Sequence, residues 1–322
     1  NPVVRLFSVL ALAALCASAP AQVPAALQLT PNLEGNIERP LRYQPDGTDF
    51  VIENGTEFFN RPLYGGNTAF RVDGGDKPEF VLYLPGRGGN LRLGLRRSDG
   101  ATQWLHEAAK IVTRYRPGSL LYEVRDPLLG DGVVRLAALA YHQTEGLIVR
   151  AEAEKIPAGV ELVWVYGGAN GQRGVRDGDI GTERVPISQF FQLQPAFCQD
   201  NRFEVSGAGF TLRAKPATIV GLAPAGTQFT IAEAEQWNDL PALLTPIQTL
   251  VAIARPVIVG RAALTAGRPL LFSLQRVAAD AAVAEDLATY REVTTARPAA
   301  ARPAPRFKLP PAFAAEELPR RF

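Results

Sequence analysis

Read by hydrophobic and polar position, the chain is a succession of short extended runs. "NLRLGLRR" (residues 90–97) sets Leu against Arg or Gly at alternate positions, and "LIVRAEAE" (147–154) closes in the same alternation. A period of two sends successive side chains to opposite faces of a strand, so both runs predict half-buried strands. "EFVLYLPG", "KIVTRYRPG", "SLLYEVRD", "VVRLAALAYH" and "VELVWVYGG" are further β-rich runs bounded by Gly, Pro or Asp. The pattern persists through "GFTLRAK", "TQFTI", "TLVAIARP" and "RPLLFSLQRV". Strands at this spacing without intervening helices predict an all-β fold. Its form is a large antiparallel β-sandwich (a supersandwich) over residues 22–277.

The pattern changes at Ala278. "AADAAVAEDLATYREV" (278–293) carries apolar residues at helical spacing and predicts a linker helix. Residues 294–322 open with the Pro- and Ala-rich "TTARPAAARPAPRFKLPP", the composition of an extended spacer. A spacer leads to the expectation of a further domain beyond it, with a plain C-terminal tail as the alternative.

At the other end, "NPVVRLFSVLALAALCASAPAQ" follows the secretory pattern: Arg5, an apolar run, then Ala19-Pro20-Ala21 as a cleavage site. Residues 1–21 are therefore expected to be a signal peptide, and the protein exported to the periplasm or the cell exterior, with no membrane association after cleavage. Leu15 is too bulky for lipid attachment at Cys16. Cleavage leaves Cys198 alone, which excludes an intramolecular disulfide. The 34 Lys and Arg against 32 Asp and Glu give a net charge of +2, and no basic run marks a nucleic-acid surface.

Candidate chemistry is sparse. Gly65-Gly66-Asn67, Gly74-Gly75-Asp76 and Gly86 to Asn90 predict hairpin turns. Gly86-Arg87-Gly88-Gly89 lacks the strand–loop–helix context and the Gly-Lys-Ser/Thr of a phosphate loop. Beside these turns, Asn60, Arg61, Tyr64 and Asn67 combine planar hydrogen-bonding groups with an aromatic face, a composition suited to sugar hydroxyls. His106 and His142 lie in strand-like segments without clustered carboxylates and read as structural. No metal or other cofactor is expected. Among the tryptophans, Trp164 reads as core and Trp237, in "EQWNDLP", as the one most exposed.

The strings "RPLRYQPDGTDFVIENGTEFFNRPLYGGNTAFRVDGGDKPEFVLYLPGRGGNLRLG", "YGGANGQRGVRDGDIG" and "FQLQPAFCQDNRFEV" resemble a family of exported bacterial proteins known only as a domain of unknown function. The resemblance covers Arg39 to Val277. Members generally continue into an α/α-toroid like that of six-hairpin glycosidases. The resemblance thus implies a non-catalytic N-terminal accessory domain of a glycoside hydrolase-like enzyme. Its partners would be a poly- or oligosaccharide and its own C-terminal catalytic domain, which supplies the catalytic carboxylates. A stand-alone carbohydrate-binding or surface-interaction module is the alternative. In the first case Asn170, Arg173, Arg176, Asp177 and Asp179 form a loop that positions hydroxyls. Asp177 and Asp179 lack the further carboxylates of a Ca²⁺ site. With Arg61, Tyr64 and Asn67, these five are the candidate substrate contacts, and none is assigned a catalytic role.

Overall fold

Antiparallel pairing joins every strand of the structure, a computed structural model that describes residues 41–66, 68–141, 144–174, 186–207, 209–245 and 253–277. The expected signal peptide, linker helix and spacer lie outside the described residues. A ten-stranded sheet runs in the order β1 (Gln44–Asp46), β2 (Asp49–Glu53), β8 (Lys110–Arg116), β9 (Ser119–Arg125), β10 (Val133–Ala140), β11 (Gly146–Glu154), β18 (Leu270–Val277), β15 (Ala217–Leu222), β14 (Gly209–Ala214) and β13 (Arg202–Ser206). An eight-stranded sheet runs β16 (Gln228–Glu233), β17 (Pro256–Ala263), β12 (Val160–Ala169), β6 (Arg87–Arg97), β5 (Glu79–Tyr83), β4 (Arg71–Gly74) and β3 (Arg61–Leu63), with β7 (Thr102–Trp104) also paired to β6. The two sheets pack face to face, as the all-β sandwich expectation required. Residues 249–252 of "TLVAIARP" lie outside the described residues; β17 begins at its last residue, Pro256, and Gly260 leaves room for the Trp164 ring.

The core between the sheets is filled by alternate residues. Leu91, Leu93 and Leu95 of β6 and Leu162, Trp164 and Tyr166 of β12 are buried there together with Phe80, Leu82 and Tyr122. Trp164 lies 4.5 Å from Phe272 and 5.8 Å, stacked, from Phe210. Rings of this size exclude the most water per residue fixed, so this aromatic group is the centre of the hydrophobic contribution.

The two outer faces differ. On the ten-stranded sheet the outer face carries ion pairs, with Arg135 paired to Glu123 and Glu154, and Arg150 to Glu152. On the eight-stranded sheet the chain's own segments cover the outer face. Val163, Val165, Val257 and Val259 lie beneath Trp104, Leu193, Trp237, Leu240 and Leu243. Two short helices, α1 (Ile187–Phe190) and α2 (Leu240–Leu243), belong to that cover. Two expectations change as a result. "NLRLGLRR" is buried on both faces as far as Leu95, with Arg92 4% exposed, and only Arg96 and Arg97 reach the surface. Trp237 is 2% exposed, because the 3-10 turn at Ala234–Gln236 folds it down onto the sheet.

Candidate functional site

At one edge of the sandwich the sheets part and leave a groove. Phe50 and Tyr115 stand opposite each other across β2 and β8, in the same row as the core residue Leu120. Tyr115 is half-buried against the margin of the core, whereas Phe50 stands largely outside it. Phe50 is 47% exposed. Tyr43, Asn60, Arg61 and Pro62 complete the lining of a volume of about 310 Å³. Ligand pockets commonly span roughly 300–1,000 Å³, so the groove fits a portion of a chain rather than a whole large ligand.

Local backbone geometry aims the polar residues. Phe59 has φ +55°, an uncommon conformation for a bulky side chain. Its ring is buried against Val81 and Phe191 on the outer face of the eight-stranded sheet. This reversal leaves the next residues, Asn60 and Arg61, to face the groove. The Arg61 guanidinium lies 4.6 Å from the Tyr43 ring centroid and its Nη1 donates to the Asn60 carbonyl at 3.2 Å. Asn60 Oδ1 is buried and accepts no hydrogen bond from the described residues.

Tyr43 is held from behind. Its hydroxyl donates to Asp76 Oδ1 at 2.6 Å, and burial with that hydrogen bond pushes its pKa well up. Asp76, fully buried, also takes the Arg42 guanidinium and the Glu57 N–H at 2.9 Å. Its own carbonyl accepts from Thr113 Oγ1 at 2.6 Å. Gly74-Gly75-Asp76 thus enters the hairpin connection between β4 and β5, as its glycines predict, and that turn is buried. A Cβ at Gly75 would stand 2.6 Å from the Glu57 carbonyl, so glycine is required there by close approach.

The other candidate contacts lie elsewhere. Tyr64, just past β3, is 52% exposed. Asn170 Oδ1 accepts from the Gln172 N–H at 3.0 Å, forming a local turn, and Arg173 Nε donates to the Pro85 carbonyl at 3.3 Å. Asn67, Arg176, Asp177 and Asp179 fall outside the described residues. Between β3 and β12, which leads into Asn170, stand β4, β5 and β6. At about 4.8 Å per strand, Arg61 and Asn170 are roughly 19 Å apart across the sheet and do not share one site.

The β5–β6 turn anchors the second group. The Arg87 N–H donates to the Gln172 carbonyl and the Arg87 carbonyl accepts from the Gly171 N–H, both at 2.9 Å. Gly86, at φ +123°, presses directly on the Gly171 backbone. A side chain at Gly86 meets both strain and collision. Gly86→Ala is expected to lower the unfolding free energy by about 1–3 kcal/mol, read from the urea midpoint. The Arg87 side chain is 1% exposed among Phe190, Phe191 and Phe197, and burial pulls its pKa down to about 10.

Three titrating groups are tuned by burial. Cys198 has its thiol pushed up to about 12, which leaves it unsuited to nucleophilic work. His106, between Phe58 and Trp104, is pulled down to about 3 by desolvation and then by Arg92 and Lys77, so it is neutral at physiological pH. Asp73 is raised to about 6, because desolvation outweighs the Arg71 guanidinium 2.9 Å away. The native state thus holds the Asp73 proton more tightly than the unfolded chain. That stabilisation is complete below the ordinary pKa of about 3.9 and is lost as pH rises through about 6. At 1.36 kcal/mol per pKa unit the loss is roughly 3 kcal/mol. His106 acts oppositely, its contribution being lost as pH falls below about 6.5. Comparing Asp73→Asn with the parent cancels the His106 slope. The parent is expected to lose stability relative to the variant between pH 4 and 6.5, measured by urea unfolding. Among the described residues, no group of three or more His, Cys, Asp or Glu could hold a metal ion.

The groove's aromatic walls escaped the sequence reading. Phe50 and Tyr115 are brought together only by strand register, and the sole local sign was an aromatic at an otherwise polar strand position.

Residues 84–301 match the family described as a domain of unknown function, DUF4450. The quoted strings before residue 84 precede the matched segment. No curated protein matches the sequence. Among solved structures, a bacterial glucoamylase complexed with acarbose overlaps 71% of this chain and 36% of its own, at 9% identity and a TM-score of 0.45. At that score and identity the overlap says nothing about activity.

Proposed function

The chain belongs to the DUF4450 family, and from that premise we propose that it holds a poly- or oligosaccharide as the N-terminal accessory domain of an exported glycoside hydrolase-like enzyme, without cleaving it. One observation carries this reading. The groove at the sandwich edge combines exposed aromatic surface at Phe50 with a forked donor, Arg61, seated on the Tyr43 ring. Sugar rings present C–H faces to aromatic side chains and hydroxyls to planar polar groups, so this composition suits them. The catalytic carboxylates belong, in this account, to a toroidal domain of the same enzyme.

The groove is built entirely from residues 43–115, which also favours a second reading, a carbohydrate-binding module that works alone. Native gels containing soluble plant and bacterial polysaccharides, run beside assays for released reducing ends, test both. The chain is expected to be retarded by at least one polysaccharide and to release no ends, and Phe50→Ala is expected to abolish the retardation. Released ends contradict the accessory role. Retardation unchanged in Phe50→Ala contradicts the groove. Turnover that appears only when a toroidal domain is joined to this chain favours the first reading over the second.

A further inference from the structure

The groove's charge narrows the class of sugar. Most arginines of the described chain face a carboxylate: Arg71 has Asp73, Arg92 has Glu79, and Arg114 and Arg116 share Asp49. Arg61 is different. Its guanidinium contacts are the Tyr43 ring and the Asn60 carbonyl, and it has no carboxylate partner among the described residues. The charges acting on Tyr43 are Asp76, Arg42 and Arg61. Asp76 and Arg42 are already paired, so of these three charges only Arg61 has no ion-pair partner among the described residues.

Geometry supports the same conclusion. Arg61 is half-buried, with its guanidinium over the Tyr43 ring, so part of its ordering cost is met before any ligand arrives. A guanidinium fixed by one face still presents N–H donors along its edge, and that edge matches the two oxygens of a carboxylate. Beside it, the Asn60 carbonyl accepts from Arg61 Nη1 at 3.2 Å, which holds the guanidinium in place. The positive φ of Phe59 that aims both residues is strain of the kind that persists at binding sites.

Resting on the carbohydrate-binding reading above, we propose that the groove takes a uronate, an acidic sugar within an oligosaccharide. The Arg61 guanidinium pairs with the sugar carboxylate, and the ring lies against Phe50 and Tyr115.

Calorimetric titration of the full chain tests this. The probes are tetragalacturonate, tetramannuronate and a glucuronate-containing tetrasaccharide, each beside a neutral or sulfated tetrasaccharide of equal length. At low salt at least one uronate is expected to bind tenfold or more tightly than its neutral counterpart. The preference should shrink with added salt, vanish in Arg61→Gln and survive in part in Arg61→Lys. Phe50→Ala is expected to weaken acidic and neutral sugars alike. Thermal melts check that each variant is folded. Equal binding of neutral and acidic sugars, a preference for sulfate esters, or a uronate preference that survives Arg61→Gln would overturn the inference while leaving carbohydrate binding in place. No binding of any tetrasaccharide would overturn both.

Discussion

Arg92→Ala is expected to remove about 3–5 kcal/mol of stability, because it strands the Glu79 carboxylate in a dry layer. Arg92 Nε lies 2.7 Å from Glu79 Oε2, and the two side chains are 5% and 0% exposed. Its Nη1 also donates to Asn238 Oδ1 at 2.9 Å and to the Trp237 carbonyl at 3.1 Å. The guanidinium sits between the Trp104 and Trp237 rings, at 5.3 and 4.7 Å. One side chain thus ties the eight-stranded sheet to the segment that covers it. Burial pushes the Glu79 pKa up, and Arg92 and Asn90 only partly oppose this. Losing Arg92 therefore drives Glu79 toward its neutral form. Replacing both members with apolar residues of similar volume, Glu79→Leu with Arg92→Met, is expected to recover much of the loss. Urea unfolding of the two single variants and the double variant gives the coupling directly. A single variant within 1 kcal/mol of the parent would show that the pair contributes little.

Asp76→Ala is the second large effect, and it links stability to the groove. It orphans two buried donors, the Tyr43 hydroxyl and the Glu57 N–H, at about 1–3 kcal/mol each. Arg42 is 43% exposed and finds water instead, so its release adds little. The expected total is roughly 4 kcal/mol, measured by chemical unfolding. Tyr43 also loses the bond that fixes it as a wall of the groove. Under conditions where the variant remains folded, glycan affinity should fall further than in Tyr43→Phe, which keeps the ring and loses only the hydroxyl. Equal affinities in the two variants would show that Asp76 does not hold the wall in place.

The strands were legible because alternation is local. β6 and β11 lie where the hydrophobic period of two places them, and β12 and β18 where the β-rich runs do. What escaped was anything decided by the third dimension. Arg92 looked like a solvent-facing residue because a sequence does not reveal which sheet face will be covered by its own chain. Trp237 looked exposed among polar neighbours for the same reason. Gly75 read as a turn former and lies in the β4–β5 hairpin, but the Glu57 backbone that crosses it was not visible. The candidate site was half legible. Asn60 and Arg61 stood out as planar polar groups, while Phe50 and Tyr115 required the register of β2 against β8 to become neighbours of the same groove. The group at Asn170 and Arg173 was legible as a loop, but its distance from Arg61 depended on the strand order.

The most direct test is a hydrogen-exchange footprint of the chain with and without a saturating oligosaccharide that binds it. Protection is expected at residues 43–50, 60–62 and 113–116, which build the groove, and it should disappear in Phe50→Ala. Protection confined to residues 169–173, with the groove unchanged, would contradict the account and place the sugar on the other side of the sheet.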